Sequence, residues 1–122
     1  MLAHNHIVAV IEDEPGAAEA LALLLRDWGA EVAVGSSADS IVSQLGSRLS
    51  EVRWVITDFH LGPGADGVSL ANDIAASAPG ARVLVLSGAL SQRAMVAAAK
   101  AGFEVMDKPA RPDKIVAWLE RA

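Results

Sequence analysis

The sequence predicts an α/β fold in which helices cover both faces of one five-stranded parallel sheet, a doubly wound sandwich. Three observations predict it. Five short apolar runs have the composition of buried strands, and apolar residues recur at helical spacing after each run. No linker or internal repeat interrupts the alternation. One domain over residues 1–122, with no output domain, is therefore expected.

The five predicted strands are short and apolar. The second strand should lie at a sheet edge, because only Gly35 and serines follow its apolar residues. In the third, Trp54, Val55 and Ile56 are expected to be buried on both faces. The strands are HIVAVI at 6–11, EVAVG at 31–35, VRWVIT at 52–57, RVLVLS at 82–87 and FEVM at 103–106.

The five predicted helices are bounded by typical start and stop residues. Pro15 fits the first turn of the first helix and Gly29 its end. Glu14 is interpreted as an acid in that first turn, favoured by the helix dipole. Gly46 weakens the prediction for the later turns of the second helix. The remaining helices are predicted at 37–49, from 66 or 67 to the APG sequence at 78–80, at 91–101 and at 112–121.

Composition and charge exclude several kinds of protein. The chain has 122 residues, 52% of them hydrophobic, and no cysteine, so neither a disulfide framework nor a thiolate metal site can form. A net charge of −5 argues against direct binding to nucleic acid. No apolar run reaches the length of a membrane span, and no signal peptide opens the chain. A cytoplasmic domain that contacts no membrane is expected.

Polar residues follow four of the five predicted strands. Each alone could be a helix cap or a solvated loop residue, but the carboxyl ends of parallel strands meet at one rim, where sites form in such sheets. Carboxylates from two strand ends repel one another unless a cation lies between them, and oxygen ligands without a His or Cys cluster suit Mg²⁺. An aspartate beside that ion can act as a nucleophile and form an aspartyl phosphate. The residues are Glu12, Asp13, Glu14, Asp58, Ser87, Asp107, Lys108 and Pro109.

Four segments, VIEDE, ITDFHLGPGADG, VLSG and MDKP, resemble the motifs of the response-regulator receiver domain of two-component signalling, in the right order and over nearly the whole chain. The resemblance implies a flavodoxin-like sheet with strand order 2-1-3-4-5. It also implies a signalling domain, not an enzyme, that catalyses only its own phosphorylation and dephosphorylation. The phosphoryl group would come from a phosphohistidine of a sensor histidine kinase or a phosphotransfer domain.

The resemblance assigns a role to each rim residue. Asp58 would be the phospho-acceptor and, with Asp13, a direct ligand of Mg²⁺. Glu12 would hold the ion through water, and the backbone carbonyl of His60 would complete the site. Ser87 would follow the phosphoryl group and Lys108 would pair with it, with the Lys108–Pro109 bond in the cis form. The glycines after Asp58, at 62, 64 and 67, are expected to let that loop pass close to the phosphate.

Two features depart from the common pattern of the family. The segment from Asp58 to Asp66 and Gly67 is one residue longer than usual, with glycine where proline is often found. Val105 stands where a tyrosine or phenylalanine is usual, three residues before the lysine, and this puts the usual coupling to an output in doubt. The ending VMDKPARPDKIVAWL and the longer loop resemble receivers appended to hybrid sensor histidine kinases, and a stand-alone regulator is an equally weighted alternative.

Three other functions compete with this interpretation. A haloacid-dehalogenase-type phosphatase normally has a second aspartate two residues after the nucleophile, where this chain has His60. A nucleotide-binding domain would need a glycine-rich phosphate loop after the first strand, and the acidic EDE there would repel a pyrophosphate. The serious alternative is a receiver-like interaction module that binds a partner without phosphorylation.

Other side chains are expected to be structural. The ring of His60 should face solvent, and Trp28 and Trp118 should pack in a core or interface. Arg111, Lys114 and Arg121 are interpreted as a solvated basic edge. His4 and His6 are interpreted as residues of a frayed end or of the start of the first strand.

Overall fold

A computed structural model of the chain describes residues 6–60, 66–88 and 92–121. The five strands are all parallel and lie in the order β2-β1-β3-β4-β5, which confirms the predicted fold class and the strand order implied by the resemblance. Within the described residues, no helix is long and apolar enough to cross a membrane. The elements are β1 (Ile7–Ile11), α1 (Pro15–Trp28), β2 (Glu31–Gly35), α2 (Ala38–Leu45), β3 (Val52–Asp58), α3 (Gly67–Ser77), β4 (Arg82–Ser87), α4 (Gln92–Ala101), β5 (Glu104–Asp107) and α5 (Pro112–Glu120).

Two hydrophobic cores lie on opposite faces of the sheet, because successive side chains of a strand point to opposite faces. In β1, Ile7, Ala9 and Ile11 belong to the core that α2, α3 and α4 cover. Val8 and Val10 belong to the core that α1 and α5 cover. Every residue of β1 is fully buried, as a central strand between two helical layers requires. This arrangement leaves the ends of the strands as the rims available for polar groups.

Two helix predictions need correction. The second helix ends at Leu45, not at residue 49, and a 3₁₀ helix follows from Gly46 to Glu51. The positive φ of 54° at Gly46 breaks the helix where glycine is most easily accommodated. Glu14 is the N-cap of α1, not a first-turn acid, and its carboxylate accepts hydrogen bonds from the N–H groups of Gly16 at 3.2 Å and Ala17 at 2.8 Å. Pro15 has no N–H, so the first free donors of the helix lie at these two residues.

The other boundaries agree with the predictions to within one or two residues. β3 extends to include Asp58, and β5 runs one residue later than predicted, so that Asp107 belongs to the strand. Gly29 ends α1 with a left-handed φ of 114°. The predicted start of the fourth helix at Ser91 and the loop residues 61–65 lie outside the described residues.

Candidate functional site

The carboxyl ends of β1, β3, β4 and β5 bring four polar side chains to one rim. Glu12 follows β1, Asp58 is the last residue of β3, Ser87 is the last residue of β4, and Lys108 follows β5. All but Lys108 are buried: the exposed fraction is 7% for Glu12 and Asp58 and 0% for Ser87. A buried polar group costs free energy unless it is paired, so this concentration at one end of the sheet marks the site.

Three carboxylates converge at this rim. One carboxylate oxygen from each of Glu12, Asp13 and Asp58 lies within 4.8 Å of the others. Asp13 is exposed, so the cluster is open to solvent on one side. An oxygen-only donor set with one open side fits a hard divalent cation that keeps some of its waters. These three residues could therefore hold a metal ion.

Lys108 is the cation that contacts this cluster within the described residues. Its Nζ donates to Oδ2 of Asp58 at 3.0 Å and lies 3.7 Å from Oε1 of Glu12. Partial burial opposes the charged ammonium, but the hydrogen bond and charge of Asp58, with the charges of Glu12 and Asp13, raise the pKa of Lys108 above its ordinary value. One ammonium faces three carboxylates, so the cluster keeps a negative charge that a bound cation would neutralise.

The pKa of Glu12 responds to its burial and to the neighbouring carboxylates. Burial raises the pKa of Glu12 above its ordinary value of 4.5, and the charges of Asp58 and Asp13 act in the same direction. The N–H of Glu14, which donates to Oε2 of Glu12 at 3.1 Å, and the charge of Lys108 oppose the rise without cancelling it. The ionised form of Glu12 is therefore disfavoured until more positive charge arrives.

Both oxygens of the Asp58 carboxylate have a donor. Oδ2 accepts from Lys108, and Oδ1 accepts from the backbone N–H of His60 at 3.3 Å. The side chain of His60 is exposed, as predicted, and its ring meets the ring of Phe59 edge to face at 4.8 Å. Phe59 is buried under Arg93 of α4, whose guanidinium lies 5.6 Å from the ring centroid. The carboxylate is thus held by two donors, one from the segment that follows β3 and one from the segment that follows β5.

The side-chain hydroxyl of Ser87 differs from the Asp58 carboxylate in its hydrogen bonding. It is buried, and it has no hydrogen-bond partner among the described residues. The backbone carbonyl of Ser87 accepts from the N–H of Lys108 at 2.9 Å, which ties the ends of β4 and β5 together. A buried hydroxyl without a partner is unusual in a native protein, and a ligand that binds at this rim is one group that could supply the partner.

Three contacts of the site were not foreseen from the sequence. The N-cap role of Glu14, the His60 N–H donor and the direct bond from Lys108 to Asp58 all depend on the folded backbone. The expectation that Gly67 lets the loop pass close to a phosphate stays a prediction, and the structure adds that a Cβ at this position would meet the backbone carbonyl of Asp58. The spacing from Asp58 to the N-cap residue Asp66 and to Gly67 is the one sequence signal that could have indicated this close approach.

Two further expectations can be compared with the structure. The Lys108–Pro109 peptide bond is cis, as the resemblance implied. Val105 lies half-buried in β5 opposite Val85.

Beside Lys108, an apolar groove of about 310 Å³ opens between α1 and α5. Leu21, Leu24, Pro109 and Ile115 contribute to its walls, and it leads to Glu12 and Lys108.

Known proteins resemble this chain in sequence and in structure. The nitrogen assimilation regulatory protein NtrX of Azorhizobium caulinodans is 29% identical over 119 residues, which cover 96% of this chain and 26% of NtrX. The transcriptional regulatory protein ZraR of Escherichia coli K12 is 28% identical over 123 residues, covering 99% of this chain and 27% of ZraR. The chain thus spans about a quarter of the length of these curated relatives.

A solved structure also resembles this chain. A response regulator protein from Burkholderia pseudomallei, with a phosphorylated aspartic acid, calcium ion and citrate, is 31% identical with a TM-score of 0.80. The match covers 94% of this chain and 66% of that one. The family model of the response regulator receiver domain matches residues 8–120. This chain therefore belongs to the response regulator receiver domains, the signalling domains of two-component systems.

Proposed function

We propose that this domain accepts a phosphoryl group on Asp58 from the phosphohistidine of a sensor histidine kinase or a phosphotransfer domain, in a step that requires Mg²⁺. The observation that carries the proposal is the convergence of Glu12, Asp13 and Asp58 within 4.8 Å, with Lys108 bonded to Asp58 at 3.0 Å. The structure of the related regulator from B. pseudomallei contains a phosphorylated aspartic acid and a calcium ion. It supports both aspartate phosphorylation and binding of a divalent cation here.

In the proposed reaction, a carboxylate oxygen of Asp58 attacks the phosphorus of the phosphohistidine. A P–O bond forms as the P–N bond breaks, and the imidazole leaves with the bonding electron pair. Lys108, whose Nζ donates to Oδ2 of Asp58, orients the attacking carboxylate and then pairs with a phosphoryl oxygen. The product is a mixed anhydride on a side chain whose orientation the N–H of His60 maintains.

The metal would be held by Asp13 and Asp58 directly, by Glu12 through water and by the carbonyl of His60. When bound, Mg²⁺ supplies the positive charge that the crowded carboxylates and the phosphoryl oxygens both need. Ser87 would then donate its hydroxyl, which has no partner among the described residues, to a phosphoryl oxygen. A new hydrogen bond at the end of β4 gives the phosphorylated state a differential contact, as a conformational response requires.

A protein donor, and not a small molecule alone, is supported by the surroundings of the site. The apolar groove between α1 and α5 leads directly to Lys108 and Glu12. A donor protein that seats an apolar side chain there would bring its phosphohistidine to the same rim. The expectation that this domain itself contacts no nucleic acid stays a prediction from its net charge of −5.

Intact mass after incubation with phosphoramidate, which carries a P–N bond, and Mg²⁺ tests the proposal. Wild-type protein should gain the mass of one phosphoryl group, and Asp58→Asn protein should gain none. Asp73→Asn, which removes an exposed carboxylate on α3, is the matched control and should react like wild type. A wild-type protein that stays unmodified while still binding a signalling partner would favour the interaction module instead.

A further inference from the structure

Gly67, the first residue of α3, lies against the last peptide of β3. A Cβ atom built on Gly67 would lie 1.9 Å from the carbonyl oxygen of Asp58 and 2.5 Å from Oγ1 of Thr57. The first neighbour is backbone, so it cannot rotate out of the way. The first residue of α3 therefore rests directly on the last peptide of β3, and only glycine fits between them.

The backbone carbonyls of Asp58 and Phe59 both accept hydrogen bonds from neighbouring groups. The hydroxyl of Thr57 donates to the Asp58 carbonyl at 3.0 Å, and the N–H of Gly67 donates to the Phe59 carbonyl at 2.9 Å. One residue further, His60 pairs with Asp66 in an antiparallel bridge. Three successive peptides, from Asp58 to His60, are thus held by the start of α3 and by Thr57.

We infer that Gly67 is a positioning residue for the metal site, acting through the backbone of residues 58–60. That backbone fixes the direction of the Asp58 carboxylate and of the His60 carbonyl, the two ligands that the proposed function assigns to this segment. The inference rests on the proposed function for the identity of those ligands. Its own content is that a side chain at position 67 displaces both at once while leaving Glu12, Asp13 and Lys108 in place.

A purely structural role for Gly67 makes a different prediction. A clash that only destabilised the fold would lower the folded fraction and leave the Mg²⁺ affinity of the folded molecules unchanged. A positioning role raises the half-saturating Mg²⁺ concentration of the folded molecules. Groups that orient metal ligands typically contribute about 10–100-fold to metal affinity.

The experiment is an NMR titration with Mg²⁺, paired with thermal unfolding to establish the folded fraction. Gly67→Ala should raise the half-saturating Mg²⁺ concentration by about tenfold or more. Gly80→Ala is the matched control, because a Cβ there meets nothing within 4 Å, and it should bind Mg²⁺ like wild type.

A second pair of variants serves if Gly67→Ala does not fold. Thr57→Val removes the hydrogen bond to the Asp58 carbonyl without adding bulk and should weaken Mg²⁺ binding severalfold, whereas Thr57→Ser keeps the hydroxyl and should restore it. Wild-type affinity in folded Gly67→Ala protein, or in Thr57→Val protein, would overturn the inference. Failure of the wild-type protein to bind Mg²⁺ would instead sink the proposed function, and the inference with it.

Discussion

At the amino ends of β4 and β5 the charged groups of one cluster are all paired, whereas at the carboxyl ends three carboxylates share one ammonium. Arg82 donates to the carbonyls of Trp118 at 2.8 Å and Arg121 at 3.0 Å, and to Glu104 at 3.3 Å. Its guanidinium also lies 4.8 Å from the centroid of the Trp118 ring. Arg121 pairs with Glu104 as well, so positive and negative groups alternate there.

The same rule of side-chain chemistry produces opposite results at the two ends. A cation at the carboxyl end of α5 complements the helix dipole and satisfies carbonyls that would otherwise lack partners. At the other rim, Glu12 and Asp58 are buried beside each other with less positive charge than they need. The charges of the amino-end cluster are thus neutralised by partners within the chain, whereas the carboxyl-end cluster could accept a ligand that brings positive charge. Stability and function are separated along the strands.

The largest expected effect comes from removing one acid of the crowded rim. Asp13→Asn should weaken Mg²⁺ binding by more than the roughly 10–100-fold that loss of an outer-shell group costs, because Asp13 is proposed as a direct ligand. Phosphoryl uptake should fall with it. In the absence of metal the same variant should be more stable than wild type, because repulsion among the three carboxylates is relieved.

Mg²⁺ titration by NMR and urea denaturation in EDTA measure the two effects of Asp13→Asn. Asp73→Asn, with the same loss of charge on α3, should change neither. Unchanged metal affinity in the Asp13 variant would remove this residue from the metal site.

At the opposite end, Arg82→Met should lower the free energy of unfolding without altering the site. The arginine makes hydrogen bonds to a carboxylate and to two helix-end carbonyls, and a charge-assisted hydrogen bond contributes about 1.5–3 kcal/mol. The expected loss is about 2 kcal/mol. Arg53→Met, at an exposed position of β3, is the control for loss of a surface arginine. Mg²⁺ affinity that fell in the Arg82 variant would contradict the separation of the two ends.

The rim was predictable from the sequence because it depends on two simple regularities. Strand ends can be located from apolar runs, and parallel strands bring their carboxyl ends to one edge. Asp58 and Ser87 were therefore expected to meet, although 29 positions separate them in the chain. The early end of α2 was also indicated, because Gly46 interrupts the helical pattern of the sequence.

The amino-end cluster could not be predicted in the same way. Arg82 meets Trp118 and Arg121 because α5 crosses back under the sheet, and nothing in the local sequence around Arg82 indicates which helix end it reaches. Arg121 is exposed, as expected for a solvated edge, but its pairing with Glu104 was not predicted. Trp28 was expected to pack, and it does so against Trp54, but its bond to Glu120 depends on the same long-range crossing. Long side chains with several possible partners need the folded backbone to choose among them.

The pH dependence of stability should have opposite signs at the two ends. Burial raises the pKa of Glu12, so its contribution to stability is fully present below the ordinary value of 4.5 and is lost as the pH rises through the raised pKa. At Glu104, burial acts to raise the pKa, but the hydrogen bonds from Arg121 and Arg82 lower it below 4.5. Its contribution is present above 4.5 and is lost as the pH falls through the lowered pKa.

Urea denaturation in EDTA over this pH range separates the two carboxylates. Glu12→Gln should be more stable than wild type near neutral pH, and the difference should vanish below pH 4.5. Glu104→Gln should be less stable than wild type near neutral pH, and the difference should shrink as the pH falls below 4.5. Two variants that both lose stability near neutral pH would show that the rim is not under charge repulsion.

The smallest expected effect concerns how far a change at the rim travels. In the family an aromatic ring near the end of the fifth strand turns inward when the hydroxyl residue moves toward the phosphate. Val105, in β5 opposite Val85, is short and stiff at χ1, so it has no comparable pair of exposed and buried rotamers. A ligand shifts the equilibrium between the inactive and active conformations only by its differential contacts with them. The contacts of Val105 should differ little between these two conformations.

Beryllofluoride, a phosphoryl mimic, should therefore change backbone NMR shifts mainly in the segments that follow Asp58 and Ser87, with little change along β5 and α5. Val105→Tyr should extend the changes to β5 and α5, because it restores a ring that can move between solvent and the space behind Ser87. Val96→Tyr, at an exposed position of α4, adds the same ring away from that space and should leave the pattern as in wild type. Wild-type shifts along β5 and α5 as large as those at the rim would show that this domain transmits its signal without the aromatic residue.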